Sequence, residues 1–145
     1  MKLPEYVSKA DVKRVCKELG LRDWSGLKKP EVELKEASTI LRIVNTQKMA
    51  IPPADFQQGL EVELEHGTMY ADANVTNNHP VLTGMIVLAH LKETMDYYKR
   101  LDVAEIEGDL LKAVIAKDLR KIEVKYGKLI KAQALLNKAV LEQLK

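Results

Sequence analysis

The sequence predicts an all-α protein, a helical bundle of about five helices with a long C-terminal helix and no sheet. The 145 residues are 46% apolar and 30% charged, which is enough apolar material for one buried core. Only seven glycines and five prolines interrupt the chain. Apolar residues recur at helical spacings of three, four and seven along most of the remainder.

Two helices are predicted in the first third of the chain, over residues 8–19 and 30–45. Ser8 is a good N-cap for the first helix, and Pro30 suits the first position of the second. The single cysteine, Cys16, lies on the apolar stripe of the first helix. We therefore expect a core residue there rather than a nucleophile, with no disulfide and no Cys-rich zinc site.

The middle of the chain predicts two more helices, over residues 54–66 and 80–101, joined by a long loop over residues 67–79. The loop has no apolar periodicity, and loops of that length are often functional or mobile. Its Asn and Asp side chains offer oxygen ligands, but it lacks the Gly and Glu of an EF-hand, which excludes calcium binding of that kind.

The chain ends in a long predicted helix over residues 108–144, which we separate from a helical core domain over residues 1–107. Such a helix would measure about 55 Å, longer than the ~40 Å diameter of a compact chain of this size. It either kinks near Gly127 or projects and binds a partner, and we favour projection with self-association. The seam that would form the interface consists of Ile115, Leu119, Ile122, Tyr126, Leu129, Leu136 and Val140.

Charge and hydropathy exclude several classes of partner. The formal net charge is only +2, so we expect no nucleic-acid partner. No run of 18 apolar residues exists, and the start of the chain has no apolar core of a secretory signal. We therefore expect no membrane partner and a cytoplasmic location. The expected partner is a second copy of the chain or another protein, bound through the C-terminal helix.

One window of the sequence is unusually rich in possible metal ligands. No Lys or Arg occurs between Lys48 and Lys92, yet all three histidines fall in this window. Residues 51–80 also carry five Asp or Glu. Carboxylates and imidazoles without cationic partners suit a bound cation better than a phosphate.

Each of the two middle helices carries a Glu and a His three residues apart, on or near its apolar side. On the third helix these are Glu63 and His66, and on the fourth they are His90 and Glu93. An ionised carboxylate on a buried face is costly unless it is paired or bound to metal. If the two helices pack antiparallel, all four side chains converge, and we expect Glu63 and His66 to contact His90 or Glu93.

Three interpretations of this cluster stay open on the sequence alone. The four residues are a ligand set for one divalent zinc, iron or manganese ion. A dinuclear iron site would need further buried carboxylates, for which Glu33 and Glu36 are unmarked candidates. The third interpretation is a metal-free hydrogen-bond network. No phosphate-binding loop, nucleophile elbow or activated thiolate adds a catalytic residue.

The same residues carry a resemblance to a known family. Residues 59–66 read Gly-Leu-Glu-Val-Glu-Leu-Glu-His, and residues 90–98 supply His-Leu-x-Glu-x-x-x-Tyr-Tyr. In this combination, over residues 52–101, the chain resembles a small uncharacterised family found in bacteria and among phage and prophage proteins. The resemblance implies a single site that contains Glu63, His66, His90 and Glu93. It implies no activity, and it places the chain in the virion if the gene belongs to a phage.

Two classes of function follow from these observations. The leading hypothesis is a non-enzymatic helical interaction or assembly protein, in which the Glu/His cluster is structural. It depends on the overlong C-terminal seam and on the absence of an open catalytic constellation. The alternative is a metal-dependent enzyme that uses zinc, iron or manganese bound by the same cluster, with an open coordination position.

Overall fold

The computed structural model describes residues 6–145, which contain six α-helices and no strand. The helices are α1 (Lys9–Leu19), α2 (Leu34–Val44), α3 (Pro53–Met69), α4 (Pro80–Glu93), α5 (Tyr97–Ile115) and α6 (Leu119–Gln143). The predicted all-α class with a long C-terminal helix is confirmed. Residues 1–5, part of the segment in which the sequence predicts no secretory signal, lie outside the described residues.

The chain forms two compact units, the first ending at Glu93 and the second comprising Thr94–Lys145. The domain boundary that the sequence predicts at residue 108 lies inside α5. In the first unit α2, α3 and α4 pack on one another, and α1 packs against α4 and a 3-10 turn at Trp24–Gly26. In the second unit α5 packs against α6.

Large apolar side chains fill the core of the first unit. The fully buried ones are Val12, Trp24, Ile40, Phe56, Leu60, Leu64, Val87 and Leu91. Cys16 is buried with them, as predicted. α4 approaches α2 so closely at Gly84 that a Cβ there would lie 2.5 Å from Ile40 Cγ2. These two helices can therefore pack this closely only because Gly84 has no side chain.

α1 begins as the sequence predicts, whereas α2 begins later. Ser8 caps α1 through its hydroxyl and exchanges hydrogen bonds with Asp11. The second helix begins at Leu34 rather than near Pro30 because α3 holds the preceding backbone. The Val32 N–H donates to a Glu61 carboxylate oxygen, and the Val32 carbonyl accepts from the Gln57 side chain. A contact of this range has no local signature in the sequence.

The single helix predicted over residues 80–101 is wrong, because the chain forms two helices there. α4 ends at Glu93, and α5 begins after Asp96. The Asp96 carboxylate accepts hydrogen bonds from the Thr94 hydroxyl and the Arg100 guanidinium. An Asp side chain that forms local hydrogen bonds in this way favours the end of a helix over its continuation. The spacing of apolar residues contains no information about such hydrogen bonds, so the interruption was not predicted.

The single helix predicted over residues 108–144 is wrong for a related reason. The chain turns at residues 116–118, where Lys117 has a left-handed backbone with φ +54°. The Asp118 carboxylate then caps α6 by accepting from the Lys121 N–H. α5 and α6 thus form a helical hairpin, and α6 is one uninterrupted helix through Gly127, the residue at which the sequence left a kink open as the alternative to projection.

The hairpin divides the predicted seam between different surfaces. Leu129 is buried, together with Ala132 of α6 and Ala113 of α5. Ile122, Leu136 and Val140 are half-buried. Ile115, Leu119 and Tyr126 are exposed. The seam is therefore not one continuous interface, because its first residue lies on the other helix and α5 covers only part of α6.

Candidate functional site

The structure brings together one Glu and one His of the predicted cluster. Glu63 of α3 and His90 of α4 meet across the packed helices, with 3.1 Å between Glu63 Oε1 and His90 Nδ1. The Glu63 side chain is 15% exposed and that of His90 27%. This contact confirms that Glu63 has a partner on the fourth helix. It forms a mostly buried hydrogen bond that links α3 to α4.

The other two predicted residues, His66 and Glu93, are exposed. At 100° per residue, His66 lies about 120° from the buried Leu60, and Glu93 lies about 160° from the buried Leu91. Both side chains therefore leave the packed faces of their helices. Three residues separate the members of each Glu/His pair along the helix. His66 therefore points to a more exposed side of α3 than Glu63 does, and Glu93 to a more exposed side of α4 than His90 does.

The geometry of the pair bears on the predicted metal site. Within residues 6–145, no group of three or more His, Cys, Asp or Glu side chains is arranged to hold a metal ion. A zinc-type site takes three or four protein ligands, so the Glu63–His90 pair alone does not fit one. Metal binding by Glu63, His66, His90 and Glu93 together stays a prediction.

We expect Glu63→Ala to lower the free energy of unfolding by about 1–2 kcal/mol, because a mostly buried His90 would lose its carboxylate acceptor. Urea unfolding of the variant measures this loss. The control is Glu65→Ala, two residues away and exposed, for which we expect a change within about 0.5 kcal/mol. Equal, small effects at both positions would show that the hydrogen bond contributes nothing to stability.

Among the described residues of the first unit, the most buried carboxylate is a different one, Glu36 of α2. It accepts hydrogen bonds from the Arg22 backbone and guanidinium, from the Trp24 indole at 3.3 Å, and from the Glu33 N–H. Burial raises the pKa of Glu36, but these donors outweigh burial and hold its pKa below the ordinary value. Glu36 therefore fastens the segment around Arg22 and Trp24 to the start of α2.

The sequence does carry a signal for Glu36. This residue precedes Ile40 by four positions and Val44 by eight, which places it on the apolar face of its helix. Glu36 therefore meets the same criterion of a carboxylate on a buried face that singles out Glu63. Its partner Arg22 lies fourteen residues away in a loop, so the pairing itself was not predictable from spacing.

The second unit has its own buried carboxylate, Asp96. Its hydrogen bond from Arg100, opposed by burial and supported by Thr94, lowers the pKa of Asp96 to about 2. Arg100 Nη2 lies 2.8 Å from Asp96 Oδ2. The ion pair fixes the first turn of α5 and is local to that helix.

Side-chain amides order the loop between α3 and α4. Asn74 Nδ2 donates to the Gly67 carbonyl at 3.1 Å and to Asn78 Oδ1 at 2.8 Å. Asn78 Nδ2 reaches the Trp24 carbonyl at 3.5 Å. Asn77 and Asn78 both have positive φ, of 48° and 61°, which Asn tolerates better than most residues. The amide groups that the sequence offers as ligands therefore hold the loop to the rest of the first unit.

A cavity of about 300 Å³ lies beside this loop, between it, the start of α1 and the turn at Trp24. Its polar lining includes Lys9, Ser25, Lys28 and Thr68. No carboxylate, imidazole or thiol occurs among its described lining residues. The ionisable side chains of this lining are those of Lys9 and Lys28.

Comparison with known proteins places the chain in a family. Residues 12–107 match a family described as "Protein of unknown function (DUF5661)". The chain belongs to this family. The resemblance to a family without assigned activity is confirmed. The DUF5661 match covers α2, α3 and α4 completely and ends inside α5.

No curated protein and no solved structure matches this DUF5661 chain. No helix in its described residues is both long and apolar enough to cross a membrane. The origin among phages that the resemblance implies stays a prediction.

Proposed function

We propose that this DUF5661 chain is a non-enzymatic assembly protein that associates with a second copy of itself through the α5–α6 hairpin. The observation that supports the proposal is the concentration of exposed apolar side chains on the hairpin. Among the described residues, ten of the eighteen exposed large apolar side chains lie in Thr94–Lys145. That unit is little more than a third of the described chain.

Four of these side chains form one stripe along α6, which we call the α6 stripe: Leu119, Tyr126, Ile130 and Leu141. At 100° per residue they fall within an arc of about 60°. This arc lies next to the face of α6 that packs on α5. The stripe and the packed face therefore together form one wider apolar side of the helix. Leu111 and Val114 are exposed near the end of α5. The exposed Glu123 and Asn137 fall within the same arc, so this surface is a cluster of apolar side chains with two polar ones among them. Clusters of exposed apolar side chains beside polar residues are typical of protein interfaces.

A second copy fits this surface because two helices alone cannot enclose a core. In the hairpin, only Tyr98, Ala113, Leu129 and Ala132 of the apolar residues are buried. Two hairpins packed face to face would form a four-helix bundle, in which both stripes become core positions. The Glu63–His90 pair then acts as a structural link within the first unit. We place this assembly in the cytoplasm, or in the virion for a phage-encoded chain.

Light scattering of paired variants tests the proposal. Tyr126 and Ile130, which are 57% and 50% exposed, lie on the α6 stripe. Val124 and Leu135, similarly exposed at 58% and 60%, lie on the opposite side of the helix. We expect the wild-type chain at twice the mass of one chain and the Tyr126→Lys/Ile130→Lys variant at a single mass.

The matched control is Val124→Lys/Leu135→Lys, which changes a similar exposed apolar area and the same charge. We expect it to associate as the wild type does. Circular dichroism of both double variants is the check that they keep their helix content, as we expect. A wild-type monomer, or equal effects of the two double variants, would overturn the proposal.

A further inference from the structure

The charges of the hairpin are divided along its length. The hairpin tip, residues 110–131, contains seven Lys or Arg and two Asp or Glu, for a net charge of +5. The hairpin base, residues 96–109 and 132–145, contains four basic and six acidic residues, for a net charge of −2. The tip is therefore strongly basic and the base weakly acidic. Asp109, at the border of the base, already pairs with Lys112 and Lys125 of the tip of its own copy.

Three residues of the α6 stripe are arranged symmetrically about Ile130, whereas the counterpart of Tyr126 is Ala134. Leu119 and Leu141 each lie eleven residues from Ile130. If two α6 helices pack antiparallel about Ile130, Leu119 meets the partner's Leu141, and Ile130 meets the partner's Ile130. A parallel packing would also place apolar residues on apolar residues. The stripe alone thus permits both arrangements, and charge must decide between them.

Electrostatics favours only one of the two arrangements. With the hairpins parallel, the two tips of net charge +5 lie side by side and repel each other. With the hairpins antiparallel, each basic tip lies along the base of the other copy. The acidic excess of that base is carried by α5, where residues 96–109 have five acidic and two basic side chains. Charges within a Debye length, about 8 Å at physiological salt, interact effectively across such an interface. The charge pattern selects the partner's orientation, as it does in other interfaces.

We infer that the partner of the hairpin is a second copy bound antiparallel about Ile130, so that the tip of each hairpin binds the base of the other. The inference rests on the self-association proposed above. It adds the orientation of the partner and the dependence of association on ionic strength, neither of which the apolar stripe determines.

Distances between spin labels test the orientation. Arg120 and Lys131 are exposed and lie on nearly the same side of α6, eleven residues apart. In the antiparallel dimer, a label at Arg120→Cys lies about 30 Å along the helix axis from its partner label, by helical rise. A label at Lys131→Cys lies only about 3 Å along the axis from its partner label. The parallel arrangement gives similar distances at both positions.

We expect the Arg120→Cys distance to exceed the Lys131→Cys distance by more than about 10 Å. Cys16 is buried and stays unlabelled in the folded protein, which mass spectrometry verifies. Equal short distances at both positions would overturn the antiparallel orientation while leaving self-association intact. No dipolar coupling at either position would overturn self-association itself.

Ionic strength gives a second, independent test without any substitution. We expect the dissociation constant of the wild-type dimer to rise by roughly threefold to tenfold between about 50 mM and about 500 mM salt, because salt screens the attraction between tip and base. A parallel dimer would instead tighten as its tip repulsion is screened. An unchanged or smaller dissociation constant at high salt would contradict the inference.

Discussion

Replacing Glu36 with Ala is expected to cost about 3 kcal/mol of unfolding free energy, a larger loss than we expect for Glu63→Ala. The carboxylate accepts from a buried indole N–H, two backbone N–H groups and the Arg22 guanidinium. When one partner of a buried charged network is removed, the remaining donors keep the cost of their removal from water but lose the hydrogen bonds that offset it. Trp24 is fully buried and cannot recover a water molecule in exchange.

Chemical denaturation followed by Trp24 fluorescence measures the Glu36→Ala effect directly, because Trp24 is the only tryptophan. The matched control is Glu31→Ala, an acidic residue of the same segment whose side chain is 72% exposed near Lys29. We expect the control to stay within about 0.5 kcal/mol of the wild type. A loss below about 1 kcal/mol for Glu36→Ala would mean that water replaces the carboxylate at little cost.

Gly67→Ala is expected to destabilise the protein by about 2 kcal/mol, although Ala is the better helix former. A Cβ at this position would lie 2.2 Å from Asn78 Oδ1 and 2.9 Å from Asn74 Nδ2. The new methyl group would force apart the amides that order the loop between α3 and α4. Thermal and urea unfolding of the variant measure this loss.

Gly108→Ala is the control with the opposite expected sign. Gly108 lies within α5, and no atom lies within 4 Å of a Cβ built there. We expect a gain of about 0.5–1 kcal/mol, because Ala restricts the unfolded chain and favours helix. If Gly67→Ala were as stable as Gly108→Ala, the Asn network would rearrange freely and would not fix the loop.

The sequence predicted those parts of the fold that depend on local chemistry. The cap at Ser8 and the helical class follow from residue types a few positions apart. The end of α4 and the turn at Lys117 were missed, although Asp96 and Asp118 are good capping residues. Both were missed because the helical spacing of apolar residues continues across them. An interruption of three residues changes that spacing very little over many helical turns.

The candidate site was half predictable for a similar reason. Helical geometry places Glu63 near the buried face, and its contact with His90 follows once α3 and α4 pack. The exposure of His66 and Glu93 depends on how far each helix rotates about its axis, which the residue spacing leaves open. The position of Glu36 on a buried face was predictable, but its pairing with Arg22 and Trp24 was not, because those residues lie in a segment that carries no periodic pattern.

The burial of Cys16 makes this single thiol a reporter of local opening. Cys16 is 1% exposed, and burial also raises the pKa of its thiol. A thiol reagent therefore reaches it only after α1 detaches from its neighbours. The modification rate of the folded protein, compared with that of the unfolded chain, therefore measures the free energy of that opening. Such a measurement follows the dynamics of the first unit without a mutation or an attached probe. It would distinguish fraying of α1 from unfolding of the whole unit.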